Sequence, residues 1–148
     1  MTMKLLVTRS VRSALDGAAK VRSGSFIFYG EPHVGKATAA RELARSSNCL
    51  GDKDGPCVNC RRLEAGAYPD FVIVTQESGS SILIGQIRAL KSTISLKPYQ
   101  SGQRVVLIDG ADLLTDEAQN ALLKLIEEPS GAFIFKSLLN FSRFYSIG

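Results

Sequence analysis

Apolar and polar residues along the chain follow two periods, that of a helix face and that of a buried strand. Apolar positions near the start recur at helical spacing, at Val7, Val11, Leu15 and Ala18. Four short runs of β-forming residues follow, over 25–29, 70–74, 105–109 and 132–135. Because each run is apolar apart from at most one residue at its end, it is typical of a strand buried on both faces. Helical segments between the runs predict an α/β fold with a parallel sheet covered by helices.

The segments between these strands carry the signals that begin and end helices. Residues 36–44 are strong helix formers. The next helix has one apolar face, formed by Ile84, Ile87, Leu90 and Ile94. Thr115 is placed to cap a last helix, whose inner face holds Ala118, Ala121, Leu122 and Leu125. By contrast, we expect residues 49–66, which hold all three cysteines, to be irregular.

A glycine-bearing turn joins the first predicted strand to the helix after it. Residues 30–36 fit the pattern G-x-x-x-x-G-K in the strand–turn–helix context that this motif requires. Gly30 and Gly35 would let backbone N–H groups turn inward around a phosphate, and Lys36 would supply a positive charge. The start of the helix adds a field that favours an anion. The motif therefore predicts a loop of P-loop origin.

Two groups that ATP hydrolysis needs are missing from the pattern. Ala37 stands where the motif has Ser or Thr, whose hydroxyl holds Mg²⁺. Thr38 lies about 100° further round the helix and is a poor substitute. After the third strand, Asp109 keeps the metal-side carboxylate, but Gly110 has no side chain to act as general base. We therefore expect no ATP hydrolysis by the chain itself, and ATP binding that is weak or absent.

Two further residues are candidates for chemistry near this loop. His33 stands where many such loops have glycine, and we expect it to constrict the phosphate cradle rather than to act in catalysis. Asp112 could serve as a substitute base, although a solvated or helix-capping carboxylate is the simpler interpretation. The sequence thus predicts no catalytic residue, and a vestigial nucleotide site made of Gly30, Gly35, Lys36, Thr38 and Asp109.

Composition and charge narrow the class of protein. The chain has 148 residues, enough for one domain with a real core, and its apolar content of 45% is ordinary. Its formal net charge of +4 is spread along the chain, which permits a polyanionic partner but is usual for a solvated surface. No apolar run approaches the roughly 20 residues that span a bilayer. The absence of a signal-peptide core and the odd number of cysteines, three, predict a cytoplasmic protein.

Several segments resemble the bacterial clamp-loader ATPase family. They are the runs 98–102, 104–109, 118–124 and 127–129, together with 68–71 and the pair Ile87-Arg88. The stretch 120–129 and its spacing from Asp109 are the most specific part. Within the family, the chain is most similar to the delta-prime type of DNA polymerase III clamp-loader subunit, in which a degenerate phosphate loop is common.

The resemblance implies an AAA+ (RecA-like) fold and a place in a hetero-pentamer. The partners it implies are gamma/tau and delta subunits, with the sliding clamp and primer-template DNA engaged through the complex. The delta-prime type implies a stator-like role, in which neighbouring gamma/tau subunits hydrolyse ATP. The family's Ser-Arg-Cys motif, which contributes to a neighbour's site, has no counterpart in the sequence. We therefore do not assign an arginine-finger role to this chain.

The resemblance covers about 25–135, and the remainder departs from it. We predict an AAA+ nucleotide-binding-type domain over 1–135, with 49–66 as a cysteine-bearing insertion. The family continues with a polar sensor segment, a helical lid and a collar domain, and residues 136–148 resemble none of these. We expect an atypical tail over 136–148 and a C-terminally incomplete member of the family.

The cysteine-bearing insertion is a candidate metal site. Cys57 and Cys60 form a C-x-x-C motif, and Cys49 lies upstream. The family carries four cysteines here, and Asp54 stands where one of them would be, so the resemblance implies a zinc site of Cys49, Asp54, Cys57 and Cys60. The alternative is three reduced thiols in a loop that has lost its metal. We expect no thioredoxin-like redox role, because the motif lies in an insertion and not at the start of a helix after a strand.

Three functions are compatible with these features. The first is a non-catalytic clamp-loader subunit acting in DNA replication. The second is an active AAA+ ATPase of gamma/tau type, which would use Thr38 and Asp112 in place of the missing groups. The third is a small zinc module that contacts nucleic acid by itself, which we favour least because no aromatic-and-basic surface is evident near the cysteines.

Overall fold

The computed structural model describes residues 9–20, 24–30, 33–51, 55–99, 103–127 and 133–140. The strands are β1 Gly24–Gly30, β2 Phe71–Val74, β3 Arg104–Asp109 and β4 Phe133–Asn140. The helices are α1 Arg9–Ala19, α2 Lys36–Asn48, α3 Val58–Glu64, α4 Ile84–Ser95 and α5 Asp116–Glu127, with a 3-10 turn at Ala111–Leu113. Some predictions fall outside the described residues, namely those on Val7, Asp54, Pro129, Ala132 and 141–148.

The four described strands form one sheet in the order β1-β4-β3-β2, and every neighbouring pair is parallel. The predicted parallel sheet is therefore confirmed. Parallel strands place all their carboxyl ends at one edge, so the loop after β1 and the end of β3 share that edge. In β4, Asn140 pairs with Gly30 of β1, and Leu138 pairs with Asp109 of β3. One strand thus separates the two halves of the predicted nucleotide site.

Helices cover both faces of the sheet. Val106 and Ile108 of β3 belong to a core cluster shared with α4 and α5. Leu107, between them in sequence, packs instead against Ala40 of α2. Because successive side chains of a strand point to opposite faces, this alternation shows a helical layer on each side. All three residues are almost fully buried, as their continuous apolar run predicted.

The first helix packs on α2 rather than deep in the sheet. Leu15 and Ala18 of α1 form a cluster with Ala39 and Leu43 of α2. The predicted apolar face is therefore confirmed over the second half of α1. Val11, assigned to the same face, is 42% exposed, because the packing involves only the carboxyl-terminal half of the helix.

Side-chain hydrogen bonds cap the starts of α4 and α5, and the cap of α5 is the predicted one. The backbone N–H of Ala118 donates to Thr115 Oγ1 at 3.3 Å, which confirms Thr115 as the cap of α5. At the start of α4, Gln86 accepts a hydrogen bond from the N–H of Leu83 at 3.1 Å and donates one to the carbonyl of Thr75 at 2.7 Å. The second contact ties the helix to the loop after β2. Among the described residues, no helix is long and apolar enough to cross a membrane.

Two predictions about secondary structure are wrong. The segment 49–66 is not irregular throughout, because it contains α3, and β4 runs to Asn140 rather than ending at 135. The helix was missed because its seven residues are too few to show an apolar period. The strand was cut short because Lys136 and Ser137 interrupt the apolar run that a buried parallel strand usually has. The structure therefore places residues 136–140 in the sheet.

Candidate functional site

Two described residues of the phosphate loop, His33 and Gly35, have left-handed backbone conformations. Gly30 is the last residue of β1, and Lys36 is the first residue of α2. Gly35 precedes the helix with φ 90° and ψ 21°, a left-handed conformation that glycine adopts without steric cost. His33 also has a left-handed φ of 62°, so the histidine makes a turn that glycine would make more easily. His33 is exposed, and the constriction that we expect from it stays a prediction.

The position where Mg²⁺ would need a hydroxyl is built into an apolar contact. Ala37 is half-buried and packs with Phe28 and Phe71 around Leu107 and Ala40. The Ala37 methyl group therefore contributes to the contact between α2 and the sheet. Its side chain has no oxygen that could hold a metal ion.

The end of β3 supplies one carboxylate and then a turn that only glycine makes easily. Asp109 is exposed at the carboxyl edge of the sheet, two strand spacings or roughly 10 Å from β1. Gly110 follows with φ 89° and ψ 51°. A Cβ atom at Gly110 would lie 3.0 Å from Leu113 Cδ1, tighter than ordinary packing. The missing general base is thus coupled to a backbone conformation that disfavours any side chain at this position.

The remaining carboxylate lies in the 3-10 turn. Asp112 is half-buried within Ala111–Leu113. Its role as a substitute base stays a prediction, and so does the alternative of a capping carboxylate. The structure brings Gly30, Gly35, Lys36, Thr38 and Asp109 to one edge of the sheet, as the order of elements implied.

The three cysteines lie close together in space. The Sγ atoms of Cys49, Cys57 and Cys60 are all within 4.8 Å of one another. The Sγ atoms of Cys57 and Cys60 are 3.4 Å apart. Tetrahedral Zn²⁺ with Zn–S bonds of about 2.3 Å separates its sulfurs by roughly 3.8 Å, so three soft ligands are gathered at the right spacing. The donor set therefore fits zinc, and the proposed fourth ligand, Asp54, is outside the described residues.

The environments of Cys57 and Cys60 differ. The Sγ of Cys57 accepts hydrogen bonds from the N–H of Leu50 at 3.5 Å and from the N–H of Cys60 at 3.4 Å. These donors lower the pKa of the Cys57 thiol to about 7, with the bond from Leu50 contributing most. Cys60 is 2% exposed, and burial raises its pKa to about 12. A metal ion that binds Cys60 must therefore displace a proton that is held more tightly than the proton of an exposed thiol.

The C-x-x-C motif begins a helix, because Cys57 caps α3. That helix follows α2 and a loop, so the motif does not stand at the start of a helix after a strand, as predicted. The helix start was hidden because cysteine is not a usual capping residue. With Cys49 in the same cluster, the arrangement is a set of three thiols rather than an isolated pair.

Buried amides hold this insertion against the sheet. Asn48, the last residue of α2, accepts a hydrogen bond from the N–H of Gln103 at 2.8 Å through its side-chain oxygen. Its backbone carbonyl accepts a second bond from the Asn59 side chain at 2.9 Å. The end of α2, the helix α3 and the segment before β3 are thus joined at one residue. The role of Asn48 was not predicted from the sequence, although an amide at the end of a helix next to a cysteine was a possible signal.

A buried ion pair unites segments that carry the family resemblance. Arg104 Nη2 donates to Asp70 Oδ1 at 3.0 Å, and both side chains are buried. The same Asp70 oxygen accepts the N–H of Tyr99 at 2.9 Å, and Arg104 also donates to the Leu96 carbonyl at 2.8 Å. These contacts lie at the amino end of β3, the edge opposite the phosphate loop. They fix the connection from α4 to β3 and contribute no chemistry to the nucleotide site.

The sequence of the chain is similar to those of known DNA polymerase III subunits. A family model described as "DNA polymerase III, delta subunit" matches residues 13–139. The chain is 40% identical to DNA polymerase III subunit delta' of Bacillus subtilis over 111 residues, which are 73% of the chain and 33% of that relative. It is 34% identical to DNA polymerase III subunit gamma/tau of Mycobacterium bovis over 133 residues, 87% of the chain and 23% of that relative. The chain therefore spans about a third or less of the length of these relatives.

Solved structures show the same fold. A DNA polymerase III gamma subunit-related protein from Thermotoga maritima aligns with a TM-score of 0.66 at 21% identity, covering 88% of this chain and 39% of that chain. The P-loop NTPase domain of a sigma-54 transport activator from E. coli aligns with a TM-score of 0.53 at 20% identity, covering 88% and 84%. These alignments confirm the predicted α/β P-loop fold.

The family match begins earlier and ends later than the resemblance noted from the sequence. It includes part of α1 and most of β4, whereas the resemblance covered about 25–135. The match thus accounts for the sheet and for the helices on both of its faces. With a family model matching most of its length, the chain belongs to the DNA polymerase III delta-subunit family of clamp-loader proteins.

Proposed function

We propose that the chain is a non-catalytic, stator-like clamp-loader subunit of delta-prime type that supports loading of the sliding clamp in DNA replication. The observation that carries the proposal is the pair of positions Ala37 and Gly110. One has a methyl group packed between α2 and the sheet, and the other has a backbone conformation suited to glycine. Motor activity needs a Mg²⁺-holding hydroxyl and a general base at these places.

The residues that remain at the cradle can attract an anion but cannot complete the chemistry. Lys36 supplies a positive charge at the start of α2, and Asp109 supplies a carboxylate on the far side of β4. Without a hydroxyl beside Lys36, Mg²⁺ would lose one of its protein ligands. ATP binding at this site is therefore weak or absent, and the site residues Gly30, Gly35, Lys36, Thr38 and Asp109 are vestigial.

The proposed partners are gamma/tau and delta subunits, with the sliding clamp and primer-template DNA reached through the complex. The support is similarity to relatives named as DNA polymerase III subunits delta' and gamma/tau. Because a stator must transmit force without yielding, a rigid domain is required. The buried Asp70–Arg104 pair and the amide contacts of Asn48 are consistent with such rigidity.

Zinc is the proposed metal of the insertion. Cys49, Cys57 and Cys60 would be three of its ligands, and Asp54 would be the fourth. Bound zinc would join the end of α2 to the start of α3 and so serve a structural purpose. Ala37 and Gly110, the two positions that lack the groups needed for ATP hydrolysis, both lie outside this insertion.

Co-elution tests the assembly. The purified chain, at micromolar concentration, would be mixed with gamma/tau and delta subunits and passed over a size-exclusion column in the presence of ATP and Mg²⁺. The proposal predicts a complex that contains all three proteins. Elution of the chain at its free position, with gamma/tau and delta in a complex of their own, would contradict it.

The alternative function, an active ATPase of gamma/tau type, is favoured by the match to gamma/tau over 133 residues. It would require Thr38 and Asp112 to replace the missing hydroxyl and the missing general base. Titration of a fluorescent ATP analogue with and without Mg²⁺ separates the two functions. A stator predicts that Mg²⁺ leaves the affinity unchanged within about threefold, whereas a large Mg²⁺-dependent gain that is lost in Thr38→Ala would support the ATPase.

A further inference from the structure

The guanidinium group of Arg45 is shared between a carboxylate and a cysteine. Arg45 Nε donates to Glu42 Oε2 at 3.0 Å, and Nη2 donates to Glu42 Oε1 at 2.8 Å. This two-point contact uses one edge of the guanidinium and fixes its plane. The remaining nitrogen, Nη1, donates to Cys60 Sγ at 3.8 Å. Glu42 therefore orients Arg45 so that another N–H group reaches the cysteine cluster.

The position of Arg45 in the sequence explains this contact. Glu42 and Arg45 are three residues apart on α2 and so lie on the same face. Arg45 is in the last turn of α2, four residues before Cys49. One helix end thus supplies both a cysteine of the cluster and a cation directed at the cluster. The guanidinium group of arginine is not deprotonated in proteins, so the cation is permanent.

The contact between Arg45 and Cys60 would balance part of the charge of a metal-bound cysteine cluster. Three thiolates around Zn²⁺ leave one net negative charge, and a carboxylate as fourth ligand would leave two. Cys60 is almost fully buried, and burial of unbalanced charge is costly unless the charge is paired and hydrogen-bonded. The carboxyl end of α2 increases the excess of negative charge, because the helix dipole places partial negative charge near Cys49. A cation held against Cys60 offsets both effects.

We propose that Arg45, oriented by Glu42, is a positioning residue of the metal centre that stabilises the metal-bound Cys60 thiolate through a charge-assisted N–H···S hydrogen bond. This inference rests on the proposed metal site and not on the proposed role in clamp loading. It assigns to the Glu42–Arg45 pair a purpose beyond the small stabilisation that an ion pair along a helix provides. Arg45 would favour a metal centre with net negative charge over a neutral one.

Chelator competition for Zn²⁺ tests the proposal. The variant Arg45→Met removes the charge and the N–H donors but keeps the aliphatic stem, and Arg41→Met makes the same change at an exposed position one turn earlier on α2. Loss of an outer-shell partner typically lowers metal affinity about 10- to 100-fold, and we expect a loss in this range for Arg45→Met alone. Arg45→Lys, which keeps the charge but cannot form the fork, should lie between Arg45→Met and the parent.

Cobalt spectra separate a role at the metal from a role in helix stability. Co²⁺ bound by thiolates gives sulfur-to-metal charge-transfer bands whose energy depends on hydrogen bonds to the sulfur. We expect these bands to shift to lower energy in Arg45→Met and to stay in place in Arg41→Met. A change in the thermal midpoint of the metal-free protein without a shift of these bands would overturn the proposal.

The outcomes distinguish this inference from the proposals on which it depends. Zinc affinities of Arg45→Met and Arg41→Met that agree within about twofold would overturn the role of Arg45 and leave the metal site intact. Failure of the parent chain to bind Zn²⁺ or Co²⁺ would overturn both the metal site and the role of Arg45. Neither result bears on co-elution with gamma/tau and delta subunits, which tests the clamp-loader role separately.

Discussion

Replacement of Gly110 by glutamate would restore a carboxylate beside Asp109. The structure predicts that this change destabilises the protein. Gly110 has φ 89° and ψ 51°, so any L side chain there is strained. A left-handed conformation costs a residue other than glycine about 1–2 kcal/mol. The new Cβ would also meet Leu113 Cδ1 at 3.0 Å, and moving that side chain off its rotamer costs about 0.5–1.5 kcal/mol. Together the two effects predict a loss of about 1.5–3.5 kcal/mol.

Gly79→Glu is the matched control for this change. Gly79 has φ 82°, close to that of Gly110, but a Cβ added there meets nothing within 4 Å. Gly79→Glu should therefore lose only the free energy of adopting a left-handed conformation, about 1–2 kcal/mol. Urea denaturation of both variants and the parent gives the free energies of unfolding. We expect Gly110→Glu to be the less stable by about 1 kcal/mol, a difference set by the contact with Leu113.

Two results would refute this reasoning. Equal stabilities for Gly110→Glu and Gly79→Glu would show that Leu113 does not restrict the position. A stability of Gly110→Glu equal to that of the parent would show that the left-handed turn is not required. The variant should also remain without ATPase activity, because Ala37 still provides no ligand for Mg²⁺.

Three further predictions concern other parts of the molecule. Asp70→Ala should lower the free energy of unfolding by about 3–5 kcal/mol, because it leaves the buried charge of Arg104 without its carboxylate. The exposed control Glu64→Ala should lower it by no more than about 0.5 kcal/mol, and equal losses in urea denaturation would contradict the assignment. In metal-free protein, alkylation of Cys57 should rise with pH around a midpoint near 7, because backbone N–H groups lower its pKa to about 7; a midpoint near 9, the ordinary value, would show that these donors are not engaged. Thr115→Ala should cost about 1 kcal/mol through loss of the cap of α5, whereas an unchanged denaturation midpoint would show that the cap does not matter.

The sheet and most helices could be predicted because their signals are local. The run 105–108 is apolar throughout, and the strand there is buried except for its last residue, Asp109. Thr115 is a capping residue directly before an acidic first turn, so its role follows from neighbouring residues alone. The phosphate loop was recognisable because its glycines and Lys36 fall between a strand and a helix.

What the sequence could not show depends on distance along the chain or on backbone conformation. Asp70 and Arg104 are 34 residues apart, and only the folded sheet brings them together. Arg45 and Cys60 are 15 residues apart and meet because α3 folds back on the end of α2. The absence of a side chain at Gly110 is visible in the sequence, but its left-handed φ is not. From the sequence, Gly110 shows only that the general base is missing. The structure shows in addition that the local turn favours glycine at this position.

Phosphate release from ATP by the purified chain in the presence of Mg²⁺ tests the central claim most directly. Because the position of the metal-holding hydroxyl is occupied by Ala37 and that of the general base by Gly110, turnover should equal that of the Lys36→Ala variant within the error of the assay. Turnover well above that of Lys36→Ala, in the absence of any other subunit, would contradict the account.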